Sequence, residues 1–262
     1  MKDLCVGDNV AFEWDNHFGN IISKENRNNC LPKPNIANID QVFLFISVKS
    51  PEYNFEQIET MLEYFHFYNL ATIILVNKTD LLKDNGYLND FKLYETLGYQ
   101  IRFISLLNLQ MSDNSFIKNA LRNKTTLLAG NSGVGKSTFV NLLIKPASSV
   151  VNEVSPKSDR GRHTTKQIYL HYSKDLLSFV ADSPGFSAFE RKDRTPEDIR
   201  LYYTEFAKYT KDCKYSDCLH LNEPHCAVLQ AVQEGKINLK RYNNYKKMYL
   251  EYTEQKKHAF SS

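Results

Sequence analysis

The chain has no stretch approaching the ~18 consecutive apolar residues that a membrane-spanning helix needs. Its start, "MKDLCVGDNVAFEW", lacks the apolar core of a secretory signal. No membrane partner is expected, and the cytoplasm is the expected location. There is no internal repeat and no low-complexity linker. Cysteine is scarce: of five, Cys5 and Cys30 stand alone and three crowd into residues 213–226. That distribution does not make a disulfide frame and reads instead as a metal cluster in a reducing compartment. The formal net charge is only +3. Lys and Arg are nevertheless concentrated in "PKSDRGRHTTK" and in the tail "KINLKRYNNYKKMYLEYTEQKKH", so a local basic surface facing nucleic acid is more informative than the total.

What is present is a globular composition, 42% hydrophobic and 24% charged over 262 residues. At roughly 100–200 residues per domain this predicts one or two domains with appendages. Residues 1–38 are polar and Asn-rich, with short strand-like pieces such as "NVAFEW" and "GNIISKE" between turn signals, which predicts a small β module. From residue 39 the pattern becomes short apolar runs, "QVFLFIS", "ATIILVN", "YQIRFIS" and "TTLLAG", separated by helical stretches near 53–69, 87–97 and 113–122. Buried strands alternating with helices predict a parallel α/β sheet over 39–192. A helix is expected from Lys136 to about Ile144, then a loop over 146–167, then the strands "IYLHY" and "LLSFVADSPG". Residues 193–262 read as helical, interrupted by the Cys cluster and closed by a long charged, Tyr-rich helix.

The firmest motif is "GNSGVGKS" at 130–137. Gly130, Gly133 and Gly135 let the backbone curl so that consecutive N–H groups face phosphates. Lys136 reaches the β- and γ-phosphates, and Ser137 offers a hydroxyl to magnesium. The candidate nucleotide contacts run on through Asn131, Ser132, Val134 and Thr138. "DSPG" at 182–185 supplies Asp182, placed at a strand end to hold magnesium through water, and the Gly185 N–H for a γ-phosphate oxygen. Between them "GRHTT" offers Thr164 and Thr165, either of which can add a hydroxyl to magnesium.

"NKTD" at 77–80 is, taken alone, an ordinary strand-to-helix turn. Beside a phosphate loop it becomes a guanine reader. The Asp80 carboxylate accepts from guanine N1–H and its exocyclic amine, Asn77 meets O6 or N7, and the Lys78 stem covers the ring. Ser105, at the end of "FIS", lies where a loop can brace the base from its far side. The order is base reader, brace, phosphate loop, switch and sensor, a circular permutation of the usual GTPase. In "CKYSDCLHLNEPHC", Cys213, Cys218, His220 and Cys226 suit a closed tetrahedral zinc site of structural type. His225 competes, but it adjoins Cys226 and has difficulty turning inward with it.

Together "NIDQVFLFIS", "NKTDLL", "GNSGVGKST", "GRHTT", "DSPGF" and "CKYSDCLHLNEPHCAV" resemble the RsgA family of circularly permuted, small-subunit-dependent GTPases, over about residues 36–235. The resemblance implies an N-terminal OB-type barrel, a permuted GTPase domain and a zinc-containing C-terminal domain, acting late in maturation of the small ribosomal subunit with rRNA-stimulated GTP hydrolysis. GTP, GDP, Mg²⁺, one structural Zn²⁺, the subunit and its rRNA are the implied partners of a monomer. "VGDNVAFEW" matches only the later part of such a barrel, so a reduced OB-like module is expected over 1–38. Where many GTPases place a water-orienting Gln, this chain has Phe186. Hydrolysis is therefore expected to be slow alone, with His163 as the candidate catalytic group. The rival expectation from another class is a nucleotide-gated RNA-binding module with negligible turnover.

Overall fold

The computed structural model describes residues 3–15, 17–82, 86–144, 168–182 and 195–259. Thr164, Thr165, His163, Gly185 and Phe186 lie outside these described residues. Among the described residues no helix is long and apolar enough to cross a membrane.

The first segment forms two small antiparallel pairs. Strands β1 (Val10–Trp14) and β2 (Gly19–Lys24) make one hairpin, and β3 (Cys30–Pro32) and β4 (Asn35–Ala37) make another. A parallel bridge from Val6 to Ile36 ties the start of the described chain to the second hairpin. Gly7 makes this approach possible: its φ is +88°, and a Cβ there would stand 2.3 Å from the Ala37 carbonyl oxygen. The two pairs are separate sheets, and among the described residues they do not close into a barrel.

The central sheet has six strands. Strand β5 (Gln41–Ser47) is buried along its whole length. This is why it reads as an unbroken apolar run, with both faces covered by helices. Its alternate residues separate cleanly, Val42, Leu44 and Ile46 into one core and Phe43 and Phe45 into the other. Strand β6 (Ala71–Asn77) and β7 (Gln100–Phe103) extend the sheet on one side of β5, and β8 (Thr125–Ala129), β10 (Ser178–Asp182) and β9 (Tyr169–Ser173) on the other. All neighbours are parallel except β9 and β10. The chain therefore runs outward from β5 to β7, then returns to β8 beside β5. That reversal creates a crevice at the carboxyl ends of β5 and β8, the place where open α/β sheets bind ligands.

Helices α1 (Phe55–Phe67) and α2 (Tyr87–Thr96) bury Ile58, Met61, Leu62, Phe91 and Tyr94 on one face of the sheet. Helix α1 begins cleanly because the Asn54 side chain accepts from the Gln57 N–H at 3.1 Å. Helix α3 (Met111–Leu121) and the short α4 (Lys136–Phe139) cover the other face through Ile117, Leu121 and Phe139. The expected helix from Lys136 to Ile144 is only α4 in its first turn; Val140–Ile144 widens into a π turn.

The C-terminal region carries α5 (Pro196–Tyr202), α6 (Ala207–Thr210), α7 (Ala227–Gln233) and the 21-residue α8 (Leu239–Ala259). Helix α5 starts on a capping box between Thr195 and Asp198 with Pro196 in its first turn. The apolar core that begins on the sheet continues without a break through Tyr202, Tyr203, Phe206, Tyr245 and Met248. At its centre lies Arg241 of α8, 1% exposed. Its Nη1 donates to Glu59 Oε2 of α1 at 2.7 Å, its Nε to Glu205 Oε1 at 2.6 Å, and Tyr202 and Tyr203 stack on the guanidinium. Burial pushes the Glu59 carboxyl above its usual range, against the pull of Arg241. Replacing Arg241 by Met strands the Glu59 carboxylate in a core and leaves the partly exposed Glu205 without this partner. A loss of about 3–5 kcal/mol in unfolding free energy is expected, read from urea titration, and replacing Glu59 by Met as well should recover part of it.

Candidate functional site

The crevice is built from three elements that are distant in sequence. Strand β8 ends at Gly130, whose φ is +127°, and a Cβ there would sit 2.2 Å from the Phe45 carbonyl oxygen. Only glycine lets the loop leave the sheet this close to β5. The loop closes on itself through Lys136, whose Nζ donates to the carbonyls of Gly130 and Asn131 at 2.7 and 2.8 Å. The ammonium therefore lies at the centre of the loop, where phosphate oxygens are bound in proteins of this design. Ser132, Ser137 and Thr138 are exposed, while Val134 is buried and holds the loop against the sheet. Phe139, one turn on, packs edge-on against Phe45 with ring centroids 5.2 Å apart and anchors the far end.

Asn77 joins the second element to the first. It ends β6 with 3% exposure, and its Nδ2 donates to the Val134 carbonyl at 2.9 Å. Its Oδ1 accepts from the Leu106 N–H at 3.1 Å. One carboxamide thus ties the 77–80 turn, the phosphate loop and the segment after β7. The approach is so close that a Cβ on Gly135 would meet Asn77 Nδ2 at 2.3 Å. Sequence reasoning gave Gly135 only the task of curling around phosphate; the structure adds the clearance for Asn77.

Lys78 follows in the left-handed region at φ 64°, and its ammonium donates to the Ser50 carbonyl. This directs the Lys78 side chain toward the segment that follows β5. Asp80 stands exposed in the 3-10 turn Thr79–Leu81 and makes no hydrogen bond to a described residue. Ser105 precedes Leu106, and its Oγ is buried without a hydrogen-bond partner. Asn77, Lys78, Ser105 and the phosphate loop are therefore brought together.

Asp182 is the third element. Its place in β10 is opposite Leu128, two residues before the phosphate loop begins, and its Oδ1 is buried with no partner. An orphaned carboxylate oxygen on the strand paired with β8 has the chemistry to hold a hydrated magnesium ion. The sequence did not signal Gln57, in the first turn of α1, whose Oε1 accepts from Asn131 Nδ2 at 2.7 Å. No motif marks it, because the contact depends on how α1 packs beside the loop.

A second cluster lies in the C-terminal region. One ligand atom from each of Cys213, Cys218, His220 and Cys226 falls within 4.8 Å of the other three, so this group can hold a metal ion. Tetrahedral thiolates about 2.3 Å from a shared zinc lie roughly 3.8 Å apart, and Cys213 and Cys226 are separated by 3.9 Å. His220 presents Nδ1 to these sulfurs at 3.7 and 3.4 Å, while its Nε2 meets Thr210 Oγ1 at 3.3 Å. Such an outer contact fixes the ring orientation that ligation needs. Burial pushes the Cys218 thiol up to about 12 and holds His220 below its ordinary value. The imidazole is thus neutral, and a cation is what would favour the thiolate. His225 is exposed and outside the cluster. Tyr242 and Tyr245 of α8 donate to the carbonyls of His220 and Leu219 at 3.0 and 2.5 Å, gripping the ligand loop from outside.

A phosphate loop at the switch point of the sheet, preceded in sequence by the Asn-Lys-x-Asp turn it touches, defines a circularly permuted GTPase. The family model described as RsgA GTPase matches residues 20–192. The chain belongs to the RsgA GTPase family. It is 36% identical to the small ribosomal subunit biogenesis GTPase RsgA of Shouchella clausii (strain KSM-K16), over 96% of this chain and 86% of the relative. It is also 36% identical to the protein of that name from Thermotoga maritima, over 95% of this chain and 83% of that one. Among solved structures it superposes on YloQ, described as a circularly permuted GTPase, with a TM-score of 0.74, 28% identity and coverage of 97% and 83%. On YjeQ from Thermotoga maritima the TM-score is 0.77, with 33% identity and coverage of 96% and 85%.

Proposed function

We propose that this chain hydrolyses GTP in late maturation of the small ribosomal subunit, its GTP form binding the subunit and hydrolysis releasing it. The observation that carries the nucleotide part is the Asn77 carboxamide, which spans from the phosphate loop at Val134 to the N–H of Leu106. Elements that meet a base and elements that meet phosphates are locked into one site. The subunit part rests on the relatives, which are named for small-subunit biogenesis.

In this reading Asp80 accepts from the two donors of the guanine edge, the Lys78 stem covers the ring, and Ser105 Oγ faces the base. Backbone N–H groups from Gly130 to Thr138 and the Lys136 ammonium hold the phosphates, with Gly185 at the γ-phosphate. Ser137, Asp182 and Thr164 or Thr165 hold Mg²⁺, which when bound neutralises charge on the β- and γ-phosphates. Zinc fills the Cys213, Cys218, His220 and Cys226 cluster as a closed structural site. The protein acts as a cytoplasmic monomer.

GTP turnover measured with and without purified small subunits tests the reading and separates it from an RNA-binding module with negligible turnover. Turnover is expected to rise with subunits, and sedimentation with subunits to require a nonhydrolysable GTP analogue. Subunits that change neither turnover nor nucleotide affinity would remove the ribosomal assignment. Because Phe186 cannot orient water, His163→Ala is expected to remove most of the stimulation, ~10²-fold or more for a positioned acid–base group, while nucleotide affinity stays near the parent value. Full stimulation of that variant would take the catalytic role from His163.

A further inference from the structure

Cys5 and Cys30 stand alone in the sequence but not in the fold. Their sulfurs lie 3.9 Å apart, and both residues are half-buried. The surrounding backbone holds them there. Val6 bridges Ile36, the Ala37 N–H donates to the Val6 carbonyl at 2.9 Å, and Ala37 pairs with Cys30 in the second hairpin. On the other side the Cys5 N–H donates to Asp8 Oδ2 at 2.9 Å. Arg27 reaches across both segments. It pairs with Asp8 through Nε at 2.6 Å and Nη2 at 2.9 Å, donates to the Asp3 carbonyl at 2.6 Å, and turns Nη1 toward the Cys30 sulfur at 3.6 Å. The pair is separate from the Cys213 cluster, which is the one metal-type group among the described residues.

We propose that Cys5 and Cys30 form a dithiol modification site, oxidised reversibly to a disulfide by a hydroperoxide. A sulfur–sulfur bond is about 2.05 Å long. The backbone pairing already fixes the two main-chain positions, so the remaining approach falls to side-chain rotation. Cys30 reacts first: its sulfur attacks the outer peroxide oxygen, the O–O bond breaks, and Cys30 becomes a sulfenic acid as the peroxide leaves as an alcohol, or as water when it is hydrogen peroxide. The Cys5 sulfur then attacks the Cys30 sulfur, the S–OH bond breaks, and the Cys5 proton leaves with hydroxide as water. In sum two thiols lose two electrons and two protons, and one peroxide is reduced. Burial pushes the Cys5 thiol up to about 12, which disfavours Cys5 as the first sulfur to meet the peroxide because the thiolate is the nucleophile; its proton is lost as it attacks Cys30. The Arg27 N–H turned toward the Cys30 sulfur places a hydrogen-bond donor where the peroxide meets Cys30, and this contact marks Cys30 as the first sulfur.

The bond would close the loop from Cys5 to Cys30, which carries the β1–β2 hairpin with its exposed Phe12 and Trp14. Oxidation would then restrict how that hairpin departs from the second one, and a small thiol reductant would release it.

The test treats the full chain, zinc retained, with a slight excess of hydrogen peroxide. Alkylation under denaturing, chelating conditions should find two fewer thiols than the five of the reduced chain. The intact mass should fall by two hydrogens, and a tryptic peptide pair joining Cys5 to Cys30 should appear and vanish with dithiothreitol. Cys5→Ser should instead accumulate a sulfenic acid at Cys30 that dimedone traps, and Cys30→Ser should give neither product. If Cys5 and Cys30 both remain alkylatable after the Cys213 cluster has been oxidised, the proposal is overturned. It is equally overturned if the two cysteines oxidise only to separate sulfinic acids.

Discussion

Replacing Asp80 by Asn is expected to weaken GTP binding by ~10²–10⁴-fold while improving binding of xanthosine triphosphate. In the proposed site the parent carboxylate accepts two hydrogen bonds from the guanine edge, each charge-assisted and worth about 1.5–3 kcal/mol. Asparagine replaces one acceptor with a donor that faces the guanine amine, so one bond is lost and one contact becomes repulsive. Xanthine carries an oxygen at that position and meets the new donor. The structure makes this a sharp test because the turn that carries Asp80 is held independently of the carboxylate: Asn77 is fixed by Val134 and Leu106, and Lys78 by Ser50. The site should survive the substitution with only its base preference changed. Calorimetric titration with both nucleotides reads the outcome, and unchanged GTP affinity would take Asp80 out of the base site.

A larger effect is expected at the metal cluster. Ligation contributes of order 10 kcal/mol to folding in small zinc modules, and here the four proposed ligands come from a stretch with few helices of its own. Cys218→Ser, or exhaustive chelation, should release the loop that Tyr242 and Tyr245 hold. The α8 helix then loses its partners on that side. Hydrogen exchange should rise first in 207–249 and reach α1 later, because α1 is tied to α8 through Glu59 and Arg241. Nucleotide affinity should fall least, since the phosphate loop rests on β8 and Phe139 in the other core. Elemental analysis of the reduced protein prepared without chelator should find one zinc per chain. A metal-free protein whose helices are fully protected from exchange would refute the structural role.

The sheet was legible because burial on two faces leaves an unmistakable mark: β5 and β6 are runs with hardly a polar residue. The phosphate loop was legible because its backbone conformations demand glycine. The π turn at Val140–Ile144 was not, since its residues are ordinary helix formers and the widening comes from packing. Arg241 was read with the tail's other cations as surface, yet it is the most deeply set charge of the C-terminal region. Charge normally marks exposure, and its partner Glu59 stands 182 positions earlier. The Tyr residues at 242, 245, 249 and 252, read only as part of a charged, Tyr-rich helix, stand at a helical spacing and form a buried stripe. Cys5 and Cys30 looked unrelated because a contact across two hairpins leaves no trace in spacing.

The buried guanidinium between α1 and α8 also bears on how parts may be exchanged between relatives. The C-terminal helices look like a removable cassette, since they follow the sheet and carry the Cys213 cluster between them. They are not a cassette, because one wall of their interior is supplied by α1, a helix placed early in the chain. A chimera that grafts residues 195–262 onto another scaffold would import an arginine built for Glu59 and leave that carboxylate behind. Such a graft is expected to express poorly until Glu59 is transplanted with it. The working seam for recombination therefore runs around α1, not through the connection after β10.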